Sequence, residues 1–537
     1  MENSNIEGTE VIQALGRPFQ LGMLYNAYSD TIVPGLTLWS REKLDSDIDT
    51  NEHPYTDFDV QVENSFQNKI EALEAKGQLK LSLMLGLAEI GGFAKYMNET
   101  QTSEKVARVT LRYKSTTRFD QLLDHTSPEN IERSENLDID YATHVVVGIT
   151  YGMKAFIVFE QETTGKSETD EIKGKLKAEI DTFTNSGKAK VGSSAKTEDS
   201  DEISKVKCKV FCDCQLESNP TTFEEAIEFY RSLPSFLEGE NKVKAVPQEV
   251  YLLPLTFLSG DALPAKLRNE APKLNIEAFT TFLENVISYL DSCLSVIDEI
   301  FEDEISQNFE HMYRRLRKFK QNVKKYKDDL INLCKQIVPL SRRSNNNSDL
   351  EKIVEDHNKS PFLEDVLEKW INEYRDEVAI LKGFAERLSS DDEESFRTTH
   401  GELANILIRS NKVVCLELRI EYDGDDILNM MDKFLFEPDN SELLNLDNYQ
   451  KDAWYKEIWR NINSKVIDFV DFRNKTEDDY KFIVNVIAPN QSNEEHNIGA
   501  SILYYKDAVM IKKGLPEPEK PAVVEKPKSK SSFCNLL

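Results

Sequence analysis

The chain has 537 residues, 39% of them hydrophobic, and 95 acidic against 66 basic side chains leave a net charge of −29. That balance excludes a nucleic-acid binder, which needs a basic face against phosphate. No apolar run approaches a membrane-spanning helix, the start "MENSNIEGTE" lacks the basic and apolar regions of a secretory leader, and the seven cysteines follow no framework spacing; the sequence therefore predicts a reduced, cytoplasmic chain of several domains.

Residues 1 to about 260 read as β-rich. In "LEAKGQLKLSLMLGL", residues 73–87, every odd position is Leu, Ala or Gly, Leu79, Leu81, Leu83 and Leu85 among them, while Glu74, Lys76, Gln78, Lys80 and Ser82 fill even ones. Side chains of a strand alternate between faces, so this predicts a two-faced strand, longer than the roughly 9–11 residues that cross a bilayer. Gly91 and Gly92 would then turn the chain. "ARVTLRYKSTT" alternates as well, with Val109, Leu111 and Tyr113 opposite Arg108, Thr110 and Arg112. "THVVVGITYGMKAFIVFE" is almost continuously apolar and predicts two buried strands with a turn near Gly152. "IKGKLKAEIDT" sets Ile172, Gly174, Leu176, Ala178 and Ile180 against Lys173, Lys175 and Lys177. The two alternating stretches, 73–87 and 172–181, are open to two readings: membrane hairpins, or an amphipathic helix or soluble strand packed on a core.

"KVKCKVFCDCQL" is a further alternating strand. Its Cys208, Cys212 and Cys214 share one parity with Val206, Val210 and Leu216, which predicts small core residues; no nearby His completes a zinc site. "FEEAIEFYRSLPSF" is a short amphipathic helix stopped near Pro234, and "VYLLPLTFL" a strand whose proline places it at an edge or bulge. From about 265 to 395 apolar residues recur at three and four, as in Phe279, Phe282, Ile287, Leu290, Leu294 and Ile297, which predicts a helical bundle with stops at Pro339 and Pro361. Residues 396–515 mix a strand, "KVVCLELRI", a helix, "KDAWYKEIWRNINS", and strands in "KVIDFVDF", "YKFIVNVIA" and "ASILYYKDAVMI", the last turning at its Lys-Asp pair; that order suits a small α/β domain. Residues 516–537 form a Pro/Lys-rich tether ending in "CNLL", where Cys534 stands at the prenylation position behind Lys526, Lys528 and Lys530.

No stretch predicts an enzyme, a metal or a cofactor. "TTGKS" lacks the glycine that a phosphate loop requires five residues before Gly165, and Cys415 has no Cys-x-x-Cys partner. The basic run "RRLRKFKQNVKKYK" predicts a solvated helix face paired with acidic neighbours.

Three stretches, "ALGRPFQLGMLYNAYSDTIVPGLTLW", "KVARVTLRYKSTTRFDQL" and "ATHVVVGITYGMKAFIVFE", resemble the N-terminal domain of the stonustoxin–verrucotoxin family, a branch of the perforin/cholesterol-dependent-cytolysin (MACPF/CDC) superfamily. The perforin signature is matched in part: Tyr141, Thr143, His144 and Gly152 fit its spacing, while Ala142, Val145 and Met153 depart from it. The resemblance covers roughly residues 12–515 and stops short of the family's PRY-SPRY domain. It implies a multidomain α+β chain: residues 1–264 as a bent antiparallel MACPF/CDC-like sheet with flanking helical clusters, 265–395 as a focal-adhesion-targeting-like bundle, and 396–515 as a thioredoxin-like domain. It also implies that two helical clusters, about 60–105 and 161–205, unfurl into membrane hairpins. The expected function is non-enzymatic membrane association with oligomerisation and pore formation. The expected partners are membrane lipid and homo- or hetero-oligomers, with no nucleic acid and no small-molecule substrate. The alternative is a cytoplasmic, prenylated interaction protein that forms no pores.

Overall fold

The structure is a computed structural model that describes residues 8–62, 66–88, 90–91, 93–98, 106–123, 142–164, 166–185, 205–213, 219–238, 244–258, 276–303, 309–388, 396–397, 400–419, 425–437, 453–476, 479–486 and 499–517. The chain divides into two compact units, Met1–Val296 with Val323–Glu364, and Ile297–Asn322 with Asp365–Leu537.

The first unit is built on an eight-stranded sheet: β1 (Glu10–Gln13), β2 (Met23–Asn26), β3 (Thr31–Thr37), β4 (Ile48–Gln61), β5 (Val106–Leu122), β6 (His144–Glu162), β7 (Lys207–Cys212) and β8 (Val246–Pro254). Helix α1 (Arg41–Asp47) joins β3 to β4. Strand β6 is the axis; it pairs antiparallel with β5, β7, β8 and β2. The expected pair of strands around Gly152 is in fact this single 19-residue strand. Gly152 is needed for a close approach rather than a turn: a Cβ there would lie 2.0 Å from the Ser115 carbonyl oxygen of β5. At the same level the register shifts in β5 (Thr116/Arg118), in β4 (Glu52/Tyr55) and between β6 and β8 (Thr150/Tyr151). Such bulges bend strands, so these three shifts form one band across the sheet; further shifts lie at Val146/Gly148 and Met23/Tyr25.

Both faces of β5 and β6 are covered. On one face, Glu74, just after α2 (Phe66–Ala72), meets Arg112, Lys114 and Lys154, and Tyr96 of α4 (Ala94–Asn98) stacks on Phe156; α3 (Gly77–Met84) lies between α2 and α4 in the chain. On the other, α5 (Lys166–Asn185) and α6 (Phe223–Ser232) close a core with Val109, Leu111, Ile157 and Phe159. Helix α6 starts at a capping box of Thr222 and Glu225 and ends at Ser232, near Pro234 as its sequence predicts, with Pro234 in the 3-10 turn Leu233–Leu237 that follows. Neither stretch is a strand: α3 occupies 77–84 of residues 73–87, and α5 covers 172–181, the packed amphipathic helix that was one of the two readings left open. In α3, Leu79, Leu81 and Leu83 are all buried together with Ser82 and Met84, so the helix is enclosed almost all round and period two in the sequence does not mark one face.

Helices α7 (Glu277–Phe301), α8 (Glu310–Ser344), α9 (Ser348–Asn358) and α10 (Glu364–Leu388) follow. Pro361 lies between α9 and α10, but Pro339 does not stop α8, which runs five residues further. The last turn persists because Ser341 and Arg342 are buried in the first unit.

In the second unit, Phe319 stacks on Trp370 with ring centroids 3.8 Å apart, and Arg315 pairs with Glu377 (2.7 Å) and Asp425 (3.0 Å). Its sheet runs β13 (Val509–Lys513), β12 (Gly499–Lys506), β10 (Lys412–Arg419), β11 (Lys481–Val486), β9 (Phe396–Arg397). Strands β9, β11 and β10 are parallel; β12 and β13 are antiparallel and turn at Asp507-Ala508, both left-handed. Helices α11 (His400–Arg409), α12 (Asp426–Phe436) and α13 (Ala453–Lys475) complete the unit. "KVIDFVDF" lies inside α13 and is not a strand, since Ile462, Val466 and Phe469 are buried at helical spacing.

Two glycines give a paired test of this architecture. Gly152→Ala forces backbone apart and should destabilise the first unit by roughly 1–3 kcal/mol. Gly174→Ala, in α5 with open space around it, should stabilise by up to about 1 kcal/mol. Thermal unfolding of both variants checks this; equal shifts would contradict the close approach at Gly152.

Candidate functional site

The site is the β5–β6 pair with its two helical covers. The even-numbered residues of β5, Arg108, Thr110, Arg112 and Lys114, form a polar face that is nonetheless buried. Lys154 of β6 is 2% exposed. Buried cations need partners, and Glu74, at the turn between α2 and α3, supplies one: it accepts from Arg112 Nη1 (2.6 Å), Lys114 Nζ (2.8 Å) and Lys154 Nζ (3.2 Å). Glu249 accepts from Lys114 (2.9 Å) and Asp57 from Arg112 (2.9 Å). Burial pushes the Glu74 carboxyl up, but Lys154, Lys114 and Arg112 outweigh it and hold the pKa at about 2. Burial pushes the Lys154 ammonium down, and with Glu74 pulling back it stays at about 8. On the same face, Tyr96 of α4 stacks on Phe156 at 4.2 Å, and buried Lys69 of α2 donates to the Tyr96 carbonyl (2.8 Å). This cover is thus keyed to the sheet by one carboxylate and one aromatic stack.

The opposite cover is apolar. Ile172, Leu176 and Ile180 of α5 are buried against the odd-numbered residues of β5 and β6, whereas Gly174 and Ala178 are exposed. Of the expected hairpin residues, Leu79, Leu81, Leu83 and Leu85 belong to the first cover, Leu176 and Ile180 to the second, and all six are buried. The stretch 186–204 lies outside the described residues.

Of the partial perforin signature, Tyr141 lies outside the described residues. Thr143 Oγ1 donates to the Tyr25 carbonyl (3.2 Å) and accepts from the Ala27 amide (2.9 Å), which pins β2 to the start of β6. Its neighbour His144 is 1% exposed, with Nδ1 2.8 Å from Thr143 Oγ1. Burial pushes the imidazole down to about 4, against the pull of Asp30. Gly152 sits at the register shift already described. Thr143, His144 and Gly152 therefore shape the sheet.

The remaining candidates have structural places. Cys415 is fully buried in β10, and burial pushes its thiol well up. Cys208 is buried, as its parity predicts, while Cys212 is disulfide-bonded, which departs from a wholly reduced chain. In the basic run of α8, Arg315, Lys318, Lys320, Lys325 and Lys327 all pair with carboxylates. Gly165, Cys214 and Cys534 lie outside the described residues. The role of Glu74 and Lys154 was missed in the sequence, although a lone lysine in the run "GMKAFIVF" signals a buried cation that demands a partner.

The buried imidazole gives a pH prediction. His144 is held neutral, so between pH 6.5 and about 4 the unfolded chain takes up a proton that the folded one refuses, and stability falls over that window. Asp213, raised to about 6 chiefly by burial, acts in the opposite sense because the folded chain takes up its proton first. His311, pushed down to about 3 by burial, and His357, also pushed down, add to the fall, so His144→Asn should lessen the fall in thermal midpoint between pH 6.5 and 4 without abolishing it. An unchanged slope would show that His144 does not set it.

Three domain families match the chain: the SNTX, MACPF/CDC-like domain over residues 9–232, the stonustoxin helical domain over 285–379 and the thioredoxin-like SNTX domain over 395–515. Verrucotoxin subunit beta of Synanceia verrucosa is 30% identical over 525 residues, which are 96% of this chain and 72% of that protein. Stonustoxin subunit beta of Synanceia horrida is 29% identical with the same coverage, and cytolytic toxin-beta of Scorpaena plumieri 28% identical over 531 residues. A solved stonustoxin structure superposes with a TM-score of 0.68 at 24% identity, covering 96% of this chain and 71% of that one. These findings correct the expected cytoplasmic, lipid-anchored location: the relatives along nearly the whole chain are toxin subunits, a cytolytic toxin among them. The chain belongs to the stonustoxin–verrucotoxin family of toxin subunits, with its MACPF/CDC-like, helical and thioredoxin-like domains in the family's order.

Proposed function

We propose that the chain is a non-enzymatic subunit of a membrane-permeabilising assembly, in which the covers centred on α3 and α5 leave the sheet and cross the bilayer as hairpins. The observation that carries this reading is the spacing of Ile172, Leu176 and Ile180, all buried against the sheet. Steps of four residues advance only about 40° around a helix and return to the same face of a strand. The same apolar set therefore serves a helix packed on the sheet and a strand facing lipid. In the strand, Gly174 and Ala178 join that face, and Lys173, Lys175 and Lys177 take the aqueous one. Leu79, Leu81, Leu83 and Leu85 play the corresponding part in the first segment. A hairpin crosses a membrane without a spanning helix; among the described residues, no helix is long and apolar enough to do so.

The relatives include alpha and beta subunits of neoverrucotoxin and stonustoxin. A second subunit of the same family, beside membrane lipid, is the partner this reading implies. Working domain boundaries at 1–264, 265–395, 396–515 and 516–537 are supported by the family matches at 9–232, 285–379 and 395–515.

Ala178 offers the cleanest test. Leu81→Lys would place a charge in a fully buried core position and damage the folded state. Ala178 is exposed in α5, so Ala178→Lys leaves the folded chain intact while placing a charge on the lipid face of the hairpin, at about 2–4 kcal/mol near mid-bilayer. Dye release from vesicles should fall at least about tenfold in Ala178→Lys, with unchanged thermal unfolding, and should persist in Lys177→Gln. Release at the parent rate in Ala178→Lys would show that the segment does not cross. No release by the parent, alone or with a second family subunit, would sink the reading itself.

A further inference from the structure

The last turn of α8 reaches into the first cover. Arg342 has no exposed surface. Its Nη1 donates to Asp30 Oδ2 (3.1 Å), Ser82 Oγ (2.8 Å) and the Tyr28 carbonyl (3.1 Å), and its Nη2 donates to the Gln78 carbonyl (2.8 Å). Asp30 also accepts from Tyr25 Oη (2.6 Å) and from Ser82 Oγ. One guanidinium thus ties α3 to the corner between β2 and β3.

Three features make this contact releasable. Helix α3 is only eight residues long, bounded by left-handed Gly77 and Gly86. A helix that short is not stable on its own and depends on its tertiary contacts. The turn that carries Arg342 is itself weakened: Pro339, inside α8, has no N–H for the Lys335 carbonyl, a defect of roughly 3 kcal/mol in a helix interior. Finally, the ion pair is incompletely served, because Arg342 Nε is buried without a hydrogen-bond partner among the described residues. A buried pair in that condition adds little net stability while it lasts, yet loss of one partner strands the other.

We propose that Arg342 is a latch on the first hairpin segment: α3 leaves the sheet only after the last turn of α8 releases Asp30, Ser82 and Gln78. The helical domain then gates the first hairpin, while α5, on the opposite face of the sheet, opens independently of it. Arg342 is a positioning residue and makes no contact with lipid in this role. The consequence for membranes rests on the hairpin reading above; the latch itself does not.

Amide hydrogen exchange of the full chain in lipid-free buffer tests the latch directly. In Arg342→Gln, the amides of residues 77–84 should exchange at least about tenfold faster, with those of α5 within about twofold of the parent. In Pro339→Ala, which restores the missing helix bond, α3 should exchange more slowly and dye release from vesicles should lag longer. A parallel rise in α3 and α5 in Arg342→Gln would mean global destabilisation and overturn the latch. So would unchanged α3 exchange in Pro339→Ala, a variant that keeps every buried contact and so tests the latch even if Arg342→Gln does not fold. Faster α3 exchange without any change in dye release would support the latch and count against the pore reading.

Discussion

The β5–β6 pair cannot stand with either face open. Its odd-numbered side chains form a continuous apolar surface, and its even-numbered ones include Arg108, Arg112, Lys114 and Lys154, all nine-tenths or more buried. The first face must be hidden from water and the second must be given counter-charges in a site that water does not reach. The two covers answer these separate demands. Helix α5 brings aliphatic side chains to the apolar face, and the α2–α3 turn brings Glu74 to the cations. The placement of almost everything else in the first unit follows from these two unions.

The two unions have different energetic characters. The apolar one is non-directional and scales with area, so α5 could trade its contact with the sheet for an equal area of lipid at little cost. The charged one is directional. Glu74 meets three cations at fixed distances, and the net gain from such a pairing is modest because each group gave up its hydration. The proposed hairpin mechanism, in which both covers are later discarded, is well served by contacts that specify position more than they add stability. The matches along nearly the whole chain, including the helical and thioredoxin-like domains, place this arrangement in the stonustoxin–verrucotoxin family.

Much of the architecture could be read from residue patterns. The long β5 strand showed in its alternation, α6 in its amphipathic pattern and the proline near its end, and the helical region in its three-and-four spacing. The failures share a cause: local periodicity does not say which surface lies opposite. Leu79 to Leu85 alternate as a strand would, but an enclosing environment made them a helix. Pro339 read as a stop because its missing N–H was visible, whereas the burial of Ser341 and Arg342 that keeps the next turn in place was not. Gly152 read as a turn because only the backbone of a neighbouring strand, 2.0 Å from a would-be Cβ, explains why no side chain fits. Of the site, the apolar spacing of Leu79, Leu81, Leu83, Leu85, Leu176 and Ile180 was legible, but Glu74, Lys154 and Arg342 were not, since their partners lie 38 to 314 residues away.

The central claim is that residues 172–181 exchange a helix on the sheet for a strand in lipid. It is tested most directly by placing a polarity-sensitive fluorophore on single cysteines at each of these positions and comparing emission in buffer with emission on vesicles. The claim predicts that on vesicles the emission alternates with period two, with 172, 174, 176, 178 and 180 in an apolar environment and 173, 175, 177, 179 and 181 in water. Emission that keeps the helical pattern, with 172, 176 and 180 shielded and 174 and 178 still in water, would contradict it.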